Sequence, residues 1–273
     1  MDQTKQNVVG AYALVTGSGA GLGLAFAKEL ASRGYNLVMV SLPGESLEQK
    51  ALQISKEHRV EVMFLEKDLS DEQSSADIAQ FLREKQIRLH VLVNNAGIGS
   101  TNPFLDFPPA FYVKQLKINV ITPVLLIRMI LEDMLRSEHK CYILNVGSLG
   151  GYFHLPNKEV YGASKAFVHS FTNALQLRIK DTNVSATVIS PGPVETNERI
   201  QAAHKNMKGL AKKAVMLPEE VAKQAIDAMF AQKKKFIPGK INRLFLALDW
   251  LVPTSVKNKI LWKEMKRQAS FTR

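Results

Sequence analysis

Cysteine is nearly absent: Cys141 is the only one in 273 residues. That excludes an internal disulfide, a cysteine-rich zinc site and a dithiol redox pair, and suits a reducing compartment. Its simplest reading is a small buried residue. Long apolar runs are also missing, since none approaches the ~18 residues of a spanning helix. The N-terminus, Met1 to Asn7, is polar, so neither a signal peptide nor a transmembrane segment is expected and the cytoplasm is the expected location. The six histidines show no H-E-x-x-H or H-x-x-x-H spacing, and no metal is expected. There is no solenoid repeat and no low-complexity linker. With 46% hydrophobic and 22% charged residues, disordered and collagen-like classes are excluded as well.

What is present is a regular alternation. Short apolar runs at Tyr12 to Thr16, Asn36 to Ser41, Val60 to Glu66, Leu89 to Asn94, Cys141 to Val146 and Val184 to Ile189 read as strands. Between them lie helical stretches at Leu22 to Arg33, Ser46 to Glu57 and Asp71 to Lys85, then inside Pro108 to Arg136 and Pro156 to Ile179, with another beginning near Pro218. This βαβ rhythm predicts an α/β fold, a doubly wound parallel sheet with helices on both faces, in a single domain. The stretch Pro191 to Leu217 breaks the rhythm with Pro, Gly, Thr, Asn and Lys, and residues 192–217 are the expected substrate lid.

Charge is distributed unevenly. The net +11 resides in residues 201–273, with 16 basic against five acidic residues, whereas residues 1–200 carry 20 of each. That asymmetry points to an anionic partner of the C-terminal quarter.

Between the first strand and helix lies Thr16-Gly17-Ser18-Gly19-Ala20-Gly21-Leu22-Gly23. Glycines in a strand-to-helix turn let backbone approach a pyrophosphate, while the helix N-terminus holds its charge. The spacing is T-G-x-x-x-G-x-G rather than G-x-G-x-x-G, so a tight turn with close helix packing is the competing reading. At the end of the second strand an acid would favour NAD and an arginine NADP. This chain has Ser41-Leu42 there. Ser41 could bond a 2′-phosphate, and Pro43-Gly44 opens another helix N-terminus, which leans the choice toward NADP(H).

Tyr161 and Lys165 form Y-x-x-x-K, a spacing that puts both on one helical face, where the ammonium would lower the phenol pKa from its usual ~10. Ser148 follows the Cys141 to Val146 strand at the carboxyl end, where parallel sheets place ligands. Asn94-Asn95-Ala96-Gly97 ends another strand, and Asn119 interrupts a long apolar helix. These elements occur in the order found in the short-chain dehydrogenase/reductase family, which residues 9–197 resemble, together with Asp68 and Pro191-Gly192-Pro193-Val194-Glu195-Thr196. The resemblance implies a Rossmann-like fold in which Tyr161 is the general acid/base and Ser148 polarises a carbonyl. It implies that Lys165 holds the nicotinamide ribose and tunes Tyr161, and that Asn119 positions a water in the proton relay. Asp68 with Leu69, and Asn95 with Ala96 and Gly97, would lie by the adenosine moiety. Pro191 and Gly192 are further cofactor-binding candidates, and Val194 and Thr196 would contact the carboxamide end. Leu149 and His154, near Ser148 and Tyr161, are the further candidate substrate contacts. A hydrolase reading of Gly162-Ala163-Ser164-Lys165-Ala166 fails, because G-x-S-x-G lacks its last glycine.

The tail, residues 233–273, carries Ile241, Leu244, Phe245, Leu248, Leu251 and Val252 at helical spacing beside Lys240 and Arg243. It reads as a helix packed on the core or on a second subunit of a homo-oligomer. It also fits an apolar stripe on an anionic membrane, or a dock for an acidic acyl carrier or coenzyme A ester. No nucleic-acid motif accompanies the charge. The expected activity is NAD(P)(H)-dependent interconversion of a carbonyl and a secondary alcohol on an apolar substrate such as a fatty-acyl, steroid-like or other lipophilic ketone. The alternative is a catalytically silent nucleotide-binding regulator, or a membrane-peripheral interaction protein on the same scaffold.

Overall fold

In the structure, a computed structural model, residues 10–100, 103–153, 155, 157–196, 209–253, 255–257, 259 and 262 are described. Seven parallel strands form one sheet: β1 (Tyr12–Thr16), β2 (Asn36–Ser41), β3 (Val62–Glu66), β4 (Leu89–Asn94), β5 (Cys141–Val146), β6 (Val184–Ile189) and β7 (Lys235–Phe236). Their order is β3-β2-β1-β4-β5-β6-β7, so the winding reverses between β1 and β4. Registers such as Leu14↔Val38, Leu14↔Leu92 and Leu144↔Thr187 leave the inner strands covered on both faces. That is why they are near-continuous apolar runs.

Alternation along each strand divides the core in two. Ala13, Val15, Leu37 and Met39 face one side, under α1 (Gly21–Ser32), α2 (Leu47–His58) and a later helix, α8 (Pro218–Phe230), where Phe26, Leu30, Ile226 and Met229 meet them. Leu14, Val38, Val40, Leu92 and Ile143 face the other, packed with Ile78 of α3 (Ser74–Glu84), Leu126 and Ile130 of α5 (Thr122–Leu135) and Leu175 of α6 (Glu159–Arg178).

Five strands, β1, β2, β4, β5 and β6, have the bounds read from the sequence. The stretch expected as one helix, Pro108 to Arg136, is divided: α4 (Pro109–Leu116), a π-helical turn at Lys117–Ile121, then α5. Pro123 explains the break, since it has no N–H to offer the Asn119 carbonyl. After β6, a short helix α7 (Gly209–Lys213) precedes α8, and α9 (Lys240–Leu251) follows β7. Of the expected lid, residues 197–208 lie outside the described residues, as do most positions after Val252. Among the described residues no helix is long and apolar enough to cross a membrane.

Candidate active site

The switch between β1 and β4 is a polar knot at the carboxyl ends of the strands. Thr16 Oγ1 accepts the Asn95 and Ala96 N–H groups at 3.0 and 3.1 Å, and Asn95 Nδ2 donates to the Thr16 carbonyl at 2.9 Å. Beside it the glycine turn leads into α1, whose N-cap Ala20 makes no side-chain capping bond and whose first turn holds no acid. Its backbone donors are therefore open to an anion. The glycines are required by space. A β-carbon on Gly23 would overlap the Gly17 carbonyl, and one on Gly17 would sit 3.0 Å from Ala96 Cα. This cradle of small residues and open N–H groups fits a dinucleotide pyrophosphate.

At the ribose end the sequence reading missed two residues. Ser41 Oγ accepts the Gly19 N–H at 3.1 Å and donates to the Glu45 carboxylate. Lys50 Nζ donates to the Gly19 and Glu45 carbonyls at 2.6 and 2.5 Å. An acid and a base thus both stand near Ser41, where sequence showed neither: Glu45 from the connecting loop, Lys50 because α2 folds back over the turn. Leu42 is exposed. Asp68 accepts from the Ser70 N–H and hydroxyl and pairs with Lys114 at 3.0 Å, and these contacts, the backbone bond foremost, hold it down to about 2. The neighbouring Leu69 is buried, its carbonyl bonded by the Thr122 hydroxyl at 2.7 Å.

Tyr161 and Lys165 share one face of α6, with Lys165 Nζ 5.9 Å from the Tyr161 ring centre. Lys165 is buried and donates to the Val146 carbonyl at 2.9 Å, and burial lowers it to about 8. Tyr161 Cε1 and Ser148 Oγ both border Gly150, 3.3 and 3.4 Å from where a β-carbon on it would be. The phenol pKa is raised, against the expected lowering, because burial outweighs the lowering influence of Ser148. A second ammonium, Lys158, lies 5.4 Å from the same ring and donates to the Ser100 carbonyl at 3.1 Å; the sequence reading did not single it out, although it stands three residues before Tyr161. Ser148 Oγ also accepts the Gly150 N–H at 3.0 Å, fixing the tight turn Leu149–Gly151.

Asn119 lies in the π-helical turn, fully buried. Its Oδ1 accepts the Ile98 N–H at 2.9 Å, while Nδ2 donates to the Ile98 carbonyl and to Ser164 Oγ, each at 3.0 Å. Asn119 Oδ1 and Lys165 Nζ both come within 3.3 Å of where a β-carbon on Gly97 would be. Leu149 is buried, its N–H donating to the Pro191 carbonyl at 3.0 Å. Val194 pairs with Met216, and Thr196 lies across Gly21. His154 lies outside the described residues. Sequence reasoning did not single out His169, one turn beyond Lys165, which is buried, stacks on Tyr152 at 4.3 Å and bonds Ser190 Oγ at 2.9 Å.

The catalytic candidates and the glycine cradle thus share the carboxyl edge of one sheet. Residues 11–208 match the family model described as short chain dehydrogenase. The chain belongs to the short-chain dehydrogenase/reductase family. It is 30% identical to a very-long-chain 3-oxoacyl-CoA reductase of Anas platyrhynchos over 268 residues, covering 95% of this chain and 81% of that one. It is 34% identical to the Homo sapiens 17-beta-hydroxysteroid dehydrogenase type 3 over 193 residues, covering 69% of this chain and 60% of that one. Among solved structures, a bulky-bulky ketone specific alcohol dehydrogenase from Comamonas testosteroni superimposes with TM-score 0.75 and 25% identity, covering 88% of this chain and 91% of that one. As a short-chain dehydrogenase/reductase, the protein is an NAD(P)(H)-dependent oxidoreductase that interconverts carbonyl and alcohol groups on small molecules.

Proposed function

We propose that the protein reduces a lipophilic ketone, with Tyr161 as proton donor. The observation carrying this reading is the convergence of Tyr161, Ser148 and Lys165 beside the glycine cradle, with Tyr161 and Ser148 both bordering Gly150. A nicotinamide dinucleotide held in the glycine cradle would supply the hydride for the carbonyl carbon. Ser148 donates a hydrogen bond to the carbonyl oxygen, and Tyr161 transfers its proton to that oxygen as the alcohol forms. Burial keeps Tyr161 protonated until the oxygen gains charge, while Lys158 and Lys165 stabilise the phenolate left behind. Lys165 would also hold the nicotinamide ribose, and Asn119 would position the water that returns the proton to Tyr161. Loss of Tyr161 acidity is the direct test. Tyr161→Phe is expected to lower kcat by about 10²- to 10⁴-fold, the usual share of general acid catalysis, with cofactor binding retained. Unchanged turnover on a ketone that the parent reduces, followed at the nicotinamide absorbance, would exclude it.

Four finer points belong to the same reading. NADP(H) is favoured by the Ser41 hydroxyl and the Lys50 ammonium, but only modestly, because Glu45 opposes a second negative charge. The names of the two relatives, a long-chain acyl reductase and a steroid dehydrogenase, support an elongated apolar substrate. Leu244 and Leu248 of α9 are half exposed beside Lys240 and Arg243, which favours contact with an anionic membrane surface. Exposed Val113, Leu116, Phe167 and Leu177 on α4 and α6 favour a homo-oligomer.

A further inference from the structure

Asn242 is the third residue of α9 and is 1% exposed. Its Nδ2 donates to the Ala214 and Pro238 carbonyls, both at 3.1 Å, which ties the helix to the exit of the expected lid and to the turn after β7. Its Oδ1 is buried with no hydrogen-bond partner among the described residues. The amide lies flat against Gly192: a β-carbon there would collide with Oδ1 and stand 2.6 Å from Cγ and 2.8 Å from Nδ2. The helix itself is aimed by Gly239 at φ +82°, a conformation that favours glycine. Gly239 also has Met216 Sδ at its back, 2.7 Å from where its own β-carbon would be.

Gly192 sits in a stretch with few other freedoms. The preceding Pro191 carbonyl holds the Leu149 N–H at 3.0 Å and so anchors the Ser148 turn. On the other side, the Pro193 carbonyl accepts the Met216 N–H at 3.0 Å, and Glu195 N–H donates to the Met216 carbonyl at 3.1 Å. Asn242 therefore bears on both strands of this small ladder, on Gly192 from one side and on Ala214 from the other. A leucine of the same branched shape would leave the Ala214 and Pro238 carbonyls without the amide donor, so it is the amide that ties the start of the helix to both segments.

We infer that Asn242 is a positioning residue for the nicotinamide end of the site. From the first turn of the C-terminal helix it sets the height of Gly192, and with it the placement of Val194 and Thr196 and the seat of the Ser148 turn. This rests on the reading of the protein as an NAD(P)(H)-dependent reductase. It makes the C-terminal helix part of the active-site support, because one face of α9 presents Leu244 and Leu248 to solvent while another holds the nicotinamide stretch.

The test separates the two ends of the dinucleotide. Calorimetric titration of the full-length protein with the preferred nicotinamide dinucleotide is compared with titration by its counterpart lacking only the nicotinamide, ADP-ribose or its 2′-phosphate. In Asn242→Ala, Kd for the dinucleotide is expected to rise five- to tenfold and kcat to fall, with Kd for the nicotinamide-free probe within twofold of the parent. A purely structural role moves both affinities together, and that result, or no change in either, overturns the inference. Should Asn242→Ala fail to fold, Gly192→Ala carries the same test from the opposite side, because its methyl group displaces the Asn242 amide; the same split is expected, and a parallel loss overturns the inference. A parent protein that binds neither NADH nor NADPH would instead overturn the reductase reading.

Discussion

His169 is a buried imidazole whose protonation the fold resists: burial, then the charges of Lys165 and Lys235, lower it from 6.5 to about 4. The unfolded chain therefore binds a proton that the native state refuses as pH falls below about 6.5. Stability from this residue is complete above that pH and is lost toward pH 4, by roughly 3 kcal/mol at 1.36 kcal/mol per unit. Urea unfolding of the parent and His169→Gln at pH 7.5 and 4.5 is expected to show a smaller pH loss in the variant, and equal losses would refute the assignment. Glu45 offers a second residue-level prediction. Glu45→Gln removes a carboxylate beside Ser41 and is expected to tighten NADP(H) binding several-fold with little change for NAD(H), measured by titration; the reverse order would place the 2′ position elsewhere. Neither role was legible beforehand. Lys50 reaches the Gly19 carbonyl because α2 folds back on the turn, Glu45 meets Ser41 four residues along the connecting loop, and Lys158 lies beside Tyr161 from the N-cap of the same helix.

At the scale of elements, the division of the expected long helix matters most. Pro123 was visible in the sequence as a breaker, yet its consequence, a widened turn that places Asn119 against Ile98, Ser164 and Gly97, depends on β4 and α6 lying alongside. Thr122 fastens this turn to the loop after β3, its hydroxyl bonding the Leu69 and Lys117 carbonyls at 2.7 and 3.0 Å. Thr122→Val keeps the volume and strands the Leu69 carbonyl, so a loss of about 1–2 kcal/mol is expected in urea unfolding. No loss would mean that water or relaxation replaces the bond. Helix starts were read less well than strands. Asp71 to Lys85 was expected and Ser74–Glu84 is found, because Asp68 and Asp71 side chains bond the Ser70 and Gln73 N–H groups and make a turn before the helix begins.

For the whole molecule, the excess positive charge of residues 201–273 and the solvent-facing leucines of α9 form the basis of the membrane reading. Co-sedimentation with anionic vesicles is expected at 0.1 M salt and to weaken at 1 M, as the Debye length shortens from ~10 to ~3 Å. Leu244→Asp with Leu248→Asp is expected to abolish it. Equal retention of that double variant would leave the helix as packing or a subunit contact.

The sequence alone determined the parallel α/β sheet and its polar carboxyl edge. Strands buried on both faces must be continuous apolar runs, which is why Tyr12–Thr16, Asn36–Ser41, Leu89–Asn94, Cys141–Val146 and Val184–Ile189 were legible to the residue. The Tyr161–Lys165 pair follows from helical spacing and the glycine turn from backbone sterics, both local properties of the chain. Only the tertiary structure decided what depends on distant segments meeting. The direction of the Tyr161 shift is set by burial, the placement of Lys50 at Gly19 by the return of α2, and the Asn242 amide reaches Gly192 because β7 joins β6 and delivers α9 to the same edge. Desolvation and contact across 50 residues of chain are consequences of packing, and no window of local sequence contains them.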